Sequence, residues 1–241
     1  MINTNEFAVH SGSKVIDEGL RNFMLKIYNY MAGGLTATAL AAYIVATNTG
    51  LLRLFFTPTG QYSALGWLLL FAPLILIFSF NWVVRSGTLK QVQMMFWGYS
   101  VLMGMSLAPI FLAYTGTSIA RVFLITAGTF GALNLYGYTT KKDLTGWGSF
   151  LIMGVFGLII ASIVNFFMAS SGLSLAISYL TVFIFAGLTA YDTQTMKSLY
   201  YANGIANDDN ASKGAISGAL SLYLDFINMF LALLRLFGDR R

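Results

Sequence analysis

Two carboxylates in this chain stand where carboxylates are costly. Asp225 lies in the middle of the apolar stretch 214–238, GAISGALSLYLDFINMFLALLRLFG, and Asp192 follows Tyr191 toward the end of another apolar run. An acid at bilayer depth costs roughly 2.5 kcal/mol or more on insertion scales, and it normally faces a bundle interior or a water-filled path with a partner nearby. Two carboxylates in close contact tend to share one proton, because ionising both is unfavourable. An arginine in reach competes with that proton, and Arg85 and Arg235 are the cations nearest the apolar interior. A pair of acids with a competing arginine is the chemistry of a two-state proton switch. Deprotonated, the same groups are hard oxygen ligands suited to Ca²⁺.

At about 100° per residue, Ser217, Ser221, Asp225 and Asn228 fall within one ~80° sector of a helix. They read as a polar seam, and Ser217, Ser221 and Asn228 are candidates for an ion path. Plainer readings stand beside these. Asp192 is also placed as a helix-end carboxylate in the headgroup region, and Asp225 as a structural residue bonded to a neighbouring helix. Arg85 and Arg235 are also placed to snorkel. Asp208 and Asp209 in NDDN read as a solvated loop, without the spacing and glycine of an EF-hand. Asp143 in KKDL reads as a helix cap or loop contact. Asn81, Asn134 and Asn165 read as interhelical hydrogen bonders.

The elements that position these groups follow from composition. The chain has 241 residues, 57% hydrophobic and 10% charged, with a mean hydropathy of +0.71. Soluble domains carry about 25% charged residues, so this is an integral membrane protein. There is no cysteine, and the one histidine, His10, sits in a polar tail and reads as solvated. That argues against zinc and haem. No cofactor is expected, and the net charge of +5, spread over short loops, reads as topology rather than nucleic-acid affinity.

Residues 1–26 form a polar tail without a removable signal peptide pattern. Apolar stretches of membrane length follow at about 27–48, 62–84, 92–115, 119–139, 147–168, 174–196 and 214–238, and 239–241 form a short tail. The interval 144–191 has no charged residue and is divided at SSGLS, 170–174. The fold class is therefore all-α, a seven-helix transmembrane bundle, because lipid offers backbone groups no partner outside the segment. Gly33, Ala37 and Ala41 mark a small-residue packing face on the first helix. Pro73 and Pro109 fall inside spans two and three and should kink them.

With the amino terminus in the cytoplasm, that side holds nine Lys and Arg against five on the other, which favours this orientation. The basic tail Arg240–Arg241 then falls outside and argues the other way. Depth counting sets Asp192 and Asp225 some two helical turns apart in height, at 1.5 Å per residue from the expected span starts. The spacing permits a pair without establishing one.

Several segments resemble one family. SLYLDFINMFLALLRLFG at 221–238 is similar to the last-helix signature of the Bax inhibitor-1 (transmembrane Bax inhibitor motif) family. GMSLAPIF at 104–111, TFGALNLYGYTTKKDLTGWGSF at 129–150 and Tyr191-Asp192 agree in order, and the likeness covers about 85–240. The resemblance implies a seven-helix bundle with its last helix in the centre. It implies a pH-sensitive calcium leak like that of bacterial members, with Asp192 and Asp225 as the aspartyl pair. It implies Arg85 as the latch arginine, after a one-residue adjustment near 85–90. Some members carry a glutamate in helix two, whereas this chain has no acid between Glu18 and Asp143. Eukaryotic members are linked to suppression of cell death.

Three functions follow as expectations. The first is a proton-gated calcium leak with Ca²⁺ and protons as its ligands, in a bilayer that short loops and a compact chain suggest is a bacterial inner membrane. The second is a non-conducting stress regulator acting through other membrane proteins. The third, remote, is an intramembrane aspartyl protease. Those enzymes carry Gly-x-Gly-Asp, whereas Leu222-Tyr223-Leu224-Asp225 stands here, and no proline follows Pro109. An enzyme is therefore not expected.

Overall fold

The computed structural model describes residues 4–57, 61–203 and 208–241, and their side chains except for 4–17, 203 and 208. His10 as a side chain and Asn207 of NDDN lie outside the described residues. The regular elements described are helices: α1 (Thr4–Thr47), α2 (Thr49–Phe55), α3 (Ala64–Ser86), α4 (Leu89–Ser106), α5 (Pro109–Ala113), α6 (Gly116–Thr139), α7 (Thr145–Met168), α8 (Ser171–Asn203) and α9 (Asp208–Phe237). Seven helical segments are long and apolar enough to cross a membrane: Glu18–Thr47, Ala64–Ser86, Leu89–Ala113, Gly116–Thr139, Thr145–Met168, Ser171–Ala202 and Asp209–Phe237. Their number is the seven expected from hydropathy.

Helix α9 is the centre. In its apolar stretch 61% of residues are buried inside the protein, against 28% or less in the other six. It packs on α8, α1, α6 and α4, while α7 packs on α8 at the periphery. Lys213 Nζ donates to the Gly87 carbonyl at 2.7 Å and so fixes the start of α9 to the end of α3. At the other end the tail is strapped to the α5–α6 turn: Asp239 N donates to Ser118 Oγ at 2.9 Å, and Arg241 N to the Ala113 carbonyl at 3.0 Å.

Local chemistry explains the breaks. The third span divides at Leu107–Ala108 because Pro109 cannot donate a backbone hydrogen bond and instead starts α5 at its first helical position. Pro73 stays within α3, buried. The turn expected at 170–174 is tighter and earlier. Helix α7 ends at Ala169 in the left-handed region (φ 49°) and α8 begins at Ser171. Asn165 holds this turn, accepting from Ser170 N at 3.1 Å and donating to Ser174 Oγ at 2.7 Å. Asp208 and Asp209, expected in a loop, lie in the first turn of α9, where the Asp209 carboxylate complements the helix dipole.

The small face of α1 packs as expected. Gly33 meets the Trp97 ring, and a Cβ on Gly104 would collide with the Thr38 carbonyl and lie 2.8 Å from the Ala41 Cβ, so α1 and α4 approach backbone to backbone. At this level the Tyr223 hydroxyl lies 2.7 Å from Thr38 Oγ1, which also reaches the Ser100 carbonyl at 2.9 Å. This fully buried knot joins α9, α1 and α4. Thr38→Val keeps the shape but strands the Tyr223 hydroxyl, an expected loss of about 1–3 kcal/mol. Thermal melts in detergent should show Thr38→Val well below wild type and Thr38→Ser closer to it. Equal melting of Val and wild type would contradict the account.

Candidate functional site

Asp225 is buried at 4% exposure in the core of the bundle, and its Oδ2 has no hydrogen-bond partner among the described residues. An orphaned buried carboxyl oxygen is uncommon, since buried polar atoms are overwhelmingly paired. Its neighbour along the seam, Asn228, satisfies itself by donating to the Leu224 carbonyl at 2.8 Å. Ser217, Ser221, Leu224 and Asn228 are half-buried while the residues on the other faces of α9 are buried. The seam is thus the least covered face of the central helix, and Asp225 borders it on the buried side.

Asp192 lies on α8, half-buried. The register between α8 and α9 is set by Gly218, where a Cβ would lie 2.6 Å from Met196 Sδ. One turn along each antiparallel helix brings Asp192 level with Leu222. Asp225 is three residues further, about 4.5 Å along the axis. The two-turn separation expected from depth counting is therefore corrected. Helix α8 runs from Ser171 to Asn203, and its last turns lie beyond the apolar stretch that defined the expected span.

The stretch around Asp192 is gripped on two sides. A Cβ on Gly137 of α6 would collide with the Ala190 carbonyl, and one on Gly148 of α7 with the Tyr191 ring. Thr193 Oγ1 donates to Asn134 Oδ1 at 2.7 Å, and Asn134 Nδ2 donates to the Phe130 carbonyl at 2.9 Å. Gln194 bridges the α6–α7 turn, accepting from Leu144 N and donating to the Lys142 carbonyl, both at 2.8 Å. Lys197 Nζ reaches the Tyr138 carbonyl at 3.1 Å. Residues 134–148 thus form a cradle for 190–197. The sequence marked this segment as distinctive and Asn134 as an interhelical bonder. It did not show that Gly137, Gly148 and Gln194 hold Asp192 in place.

Arg85 sits in the last turn of α3, exposed, with no ion pair among the described residues. Counting from the Lys213–Gly87 bond, it lies about 15 Å below Asp225 along the bundle axis. The structure does not bring it to the acids. Arg235 is exposed near the end of α9. Asn81 is exposed on α3 and makes no interhelical hydrogen bond among the described residues. On the α6–α7 turn, Asp143 accepts hydrogen bonds from Thr145, which hold its carboxyl below the usual carboxylate range. Its charge is lost only as pH falls below that range, so it is no switch near neutrality.

Among the described residues no group of three or more His, Cys, Asp or Glu gathers to hold a metal. Asp192 and Asp225 supply at most four oxygens, fewer than the six to eight that Ca²⁺ takes. They could meet a passing, partly hydrated cation rather than cage one.

The family described as "Inhibitor of apoptosis-promoting Bax1" matches residues 20–241. The chain is 43% identical over 223 residues to the inner membrane protein YbhL of Escherichia coli, covering 92% of this chain and 94% of that one. It is 47% identical over 238 residues to the protein RP147 of Rickettsia prowazekii, covering 99% and 98%. A protein of Deinococcus radiodurans is 38% identical over 240 residues, covering 100% of each. With a match over nearly its whole length and a bundle wound around its last helix, the chain belongs to the Bax inhibitor-1 family.

Proposed function

We propose that this protein is a pH-sensitive calcium leak of a bacterial inner membrane, gated by Asp192 and Asp225. The observation that carries the reading is the unpartnered carboxyl oxygen of Asp225 at the centre of the bundle, about one helical turn in height from Asp192 on the packed helix α8. The inner membrane is the location that the name of YbhL gives for that relative.

Two states follow from the balance of charge. With a proton on the pair, one acid donates to the other or stays neutral, and α8 and α9 remain packed. Without it, two negative charges face each other where little water screens them. The repulsion is relieved by separation of α8 from α9, by water, or by a cation. The half-buried face bearing Ser217, Ser221 and Asn228 offers such a cation oxygen atoms along α9. Arg85 acts as a latch only if α3 shifts along α9 toward the acids.

The test is a double-mutant cycle on calcium flux in proteoliposomes. Asp192→Asn and Asp225→Asn should each flatten the pH dependence, and the double variant should add little, because the acids titrate as one unit. Independent, additive effects, or wild-type pH dependence in both single variants, would contradict the gate.

A further inference from the structure

We infer that the groove between α1 and α6 binds an anionic phospholipid, with its headgroup at Arg21. Helices α1 and α6 both pack on α9 but hardly on one another. Between them lies a cavity of about 650 Å³, lined by Met24, Leu25, Met31, Phe130 and Leu135, with Arg21 and Tyr138 at one end. Its volume falls in the range of small-molecule sites. Along α1 it extends from Arg21 to Ala32, about 16 Å at 1.5 Å per residue. That is half of the ~30 Å hydrocarbon core, the depth of a single leaflet. The occupant that fits is an acyl chain from one leaflet, not a chain crossing both.

The charge at the mouth selects the headgroup. Arg21 is exposed at the end of the groove. Lys197 Nζ lies 5.3 Å over the Tyr138 ring and donates to its carbonyl. Exposed Lys141 and Lys142 follow on the turn after α6. Among the described side chains these four cations outnumber the acids next to them in sequence, Glu18 and Asp143. Basic clusters at the mouth of a cleft between spans recognise anionic lipid headgroups. The inference rests on the groove and its charge, not on calcium conduction.

The chain has no cysteine, so a single fluorophore can be placed at will. Leu135→Cys puts one in the groove, and Phe78→Cys puts one on an exposed face of α3, two turns from Arg85. Leu135 lies four residues and Phe78 eight residues from the same-side end of its helix. Both labelled proteins, in liposomes of mixed phosphatidylcholine and phosphatidylglycerol, are quenched by brominated chains carried by one lipid or the other. The groove label should prefer phosphatidylglycerol about fivefold, the effect of one cationic side chain at a membrane surface. The α3 label should show little preference, and Arg21→Gln should bring the groove label to the same value. Leu25→Cys serves if Leu135→Cys does not fold. Equal quenching by the two lipids in the groove, or a preference that survives Arg21→Gln, would overturn the inference.

Discussion

Gly137→Ala should melt well below the wild type, by about 1–3 kcal/mol or more, while Gly131→Ala on the same helix should be neutral or stabilising. Overpacking of a close-fitted interface typically costs that much when neighbours can move. Here they cannot readily do so, because the added Cβ meets the Ala190 backbone rather than the tip of a side chain. Gly131 has nothing within 4 Å of where a Cβ would stand. Alanine there gains up to about 1 kcal/mol of helix propensity. The effect at Gly137 reaches the site, since Asn134 one turn away bonds Thr193 beside Asp192. Size-exclusion thermostability in detergent checks the pair, and equal melting of the two variants would contradict the close approach of α6 and α8.

The second large effect separates stability from function at one residue. Asp225→Leu should match or exceed the wild type in thermal stability and lose the pH dependence of flux. Replacing a buried ionisable group by a hydrophobic one of similar volume is often neutral or stabilising by about 1–4 kcal/mol. The orphaned Oδ2 makes that outcome the expected one here. A structural aspartate bonded to a neighbouring helix gives the opposite result, a marked loss of stability on substitution. For the flux, a gate with one proton-linked step changes its open population by up to about tenfold per pH unit. Leucine cannot titrate, so that slope should disappear. A destabilised Asp225→Leu that keeps the wild-type slope would contradict both halves of the argument.

The bundle was legible because hydropathy and the cost of exposed backbone in lipid leave few alternatives. Asp225 was legible for the same reason: a lone acid in an apolar helix needs an explanation. The height of Asp192 was not legible. The segment DTQTMKSLYYAN at 192–203 is polar enough to end a hydropathy stretch, yet it stays helical because α6 and the α6–α7 turn pack against it through Tyr138, Lys142 and Leu144. The cradle was hidden too, since the fit of Gly137 and Gly148 to α8 is a property of two helices at once. The turn at Ala169 escaped because alanine carries no preference for the left-handed conformation it adopts there.

The most direct test of the proposed leak is calcium entry into proteoliposomes from pH 6 to 8, with the wild type beside Asp225→Asn and protein-free liposomes. The account predicts a wild-type flux that changes with pH and an Asp225→Asn flux that does not. No flux above protein-free liposomes at any pH, from protein shown to be folded, would contradict it and favour a non-conducting regulator.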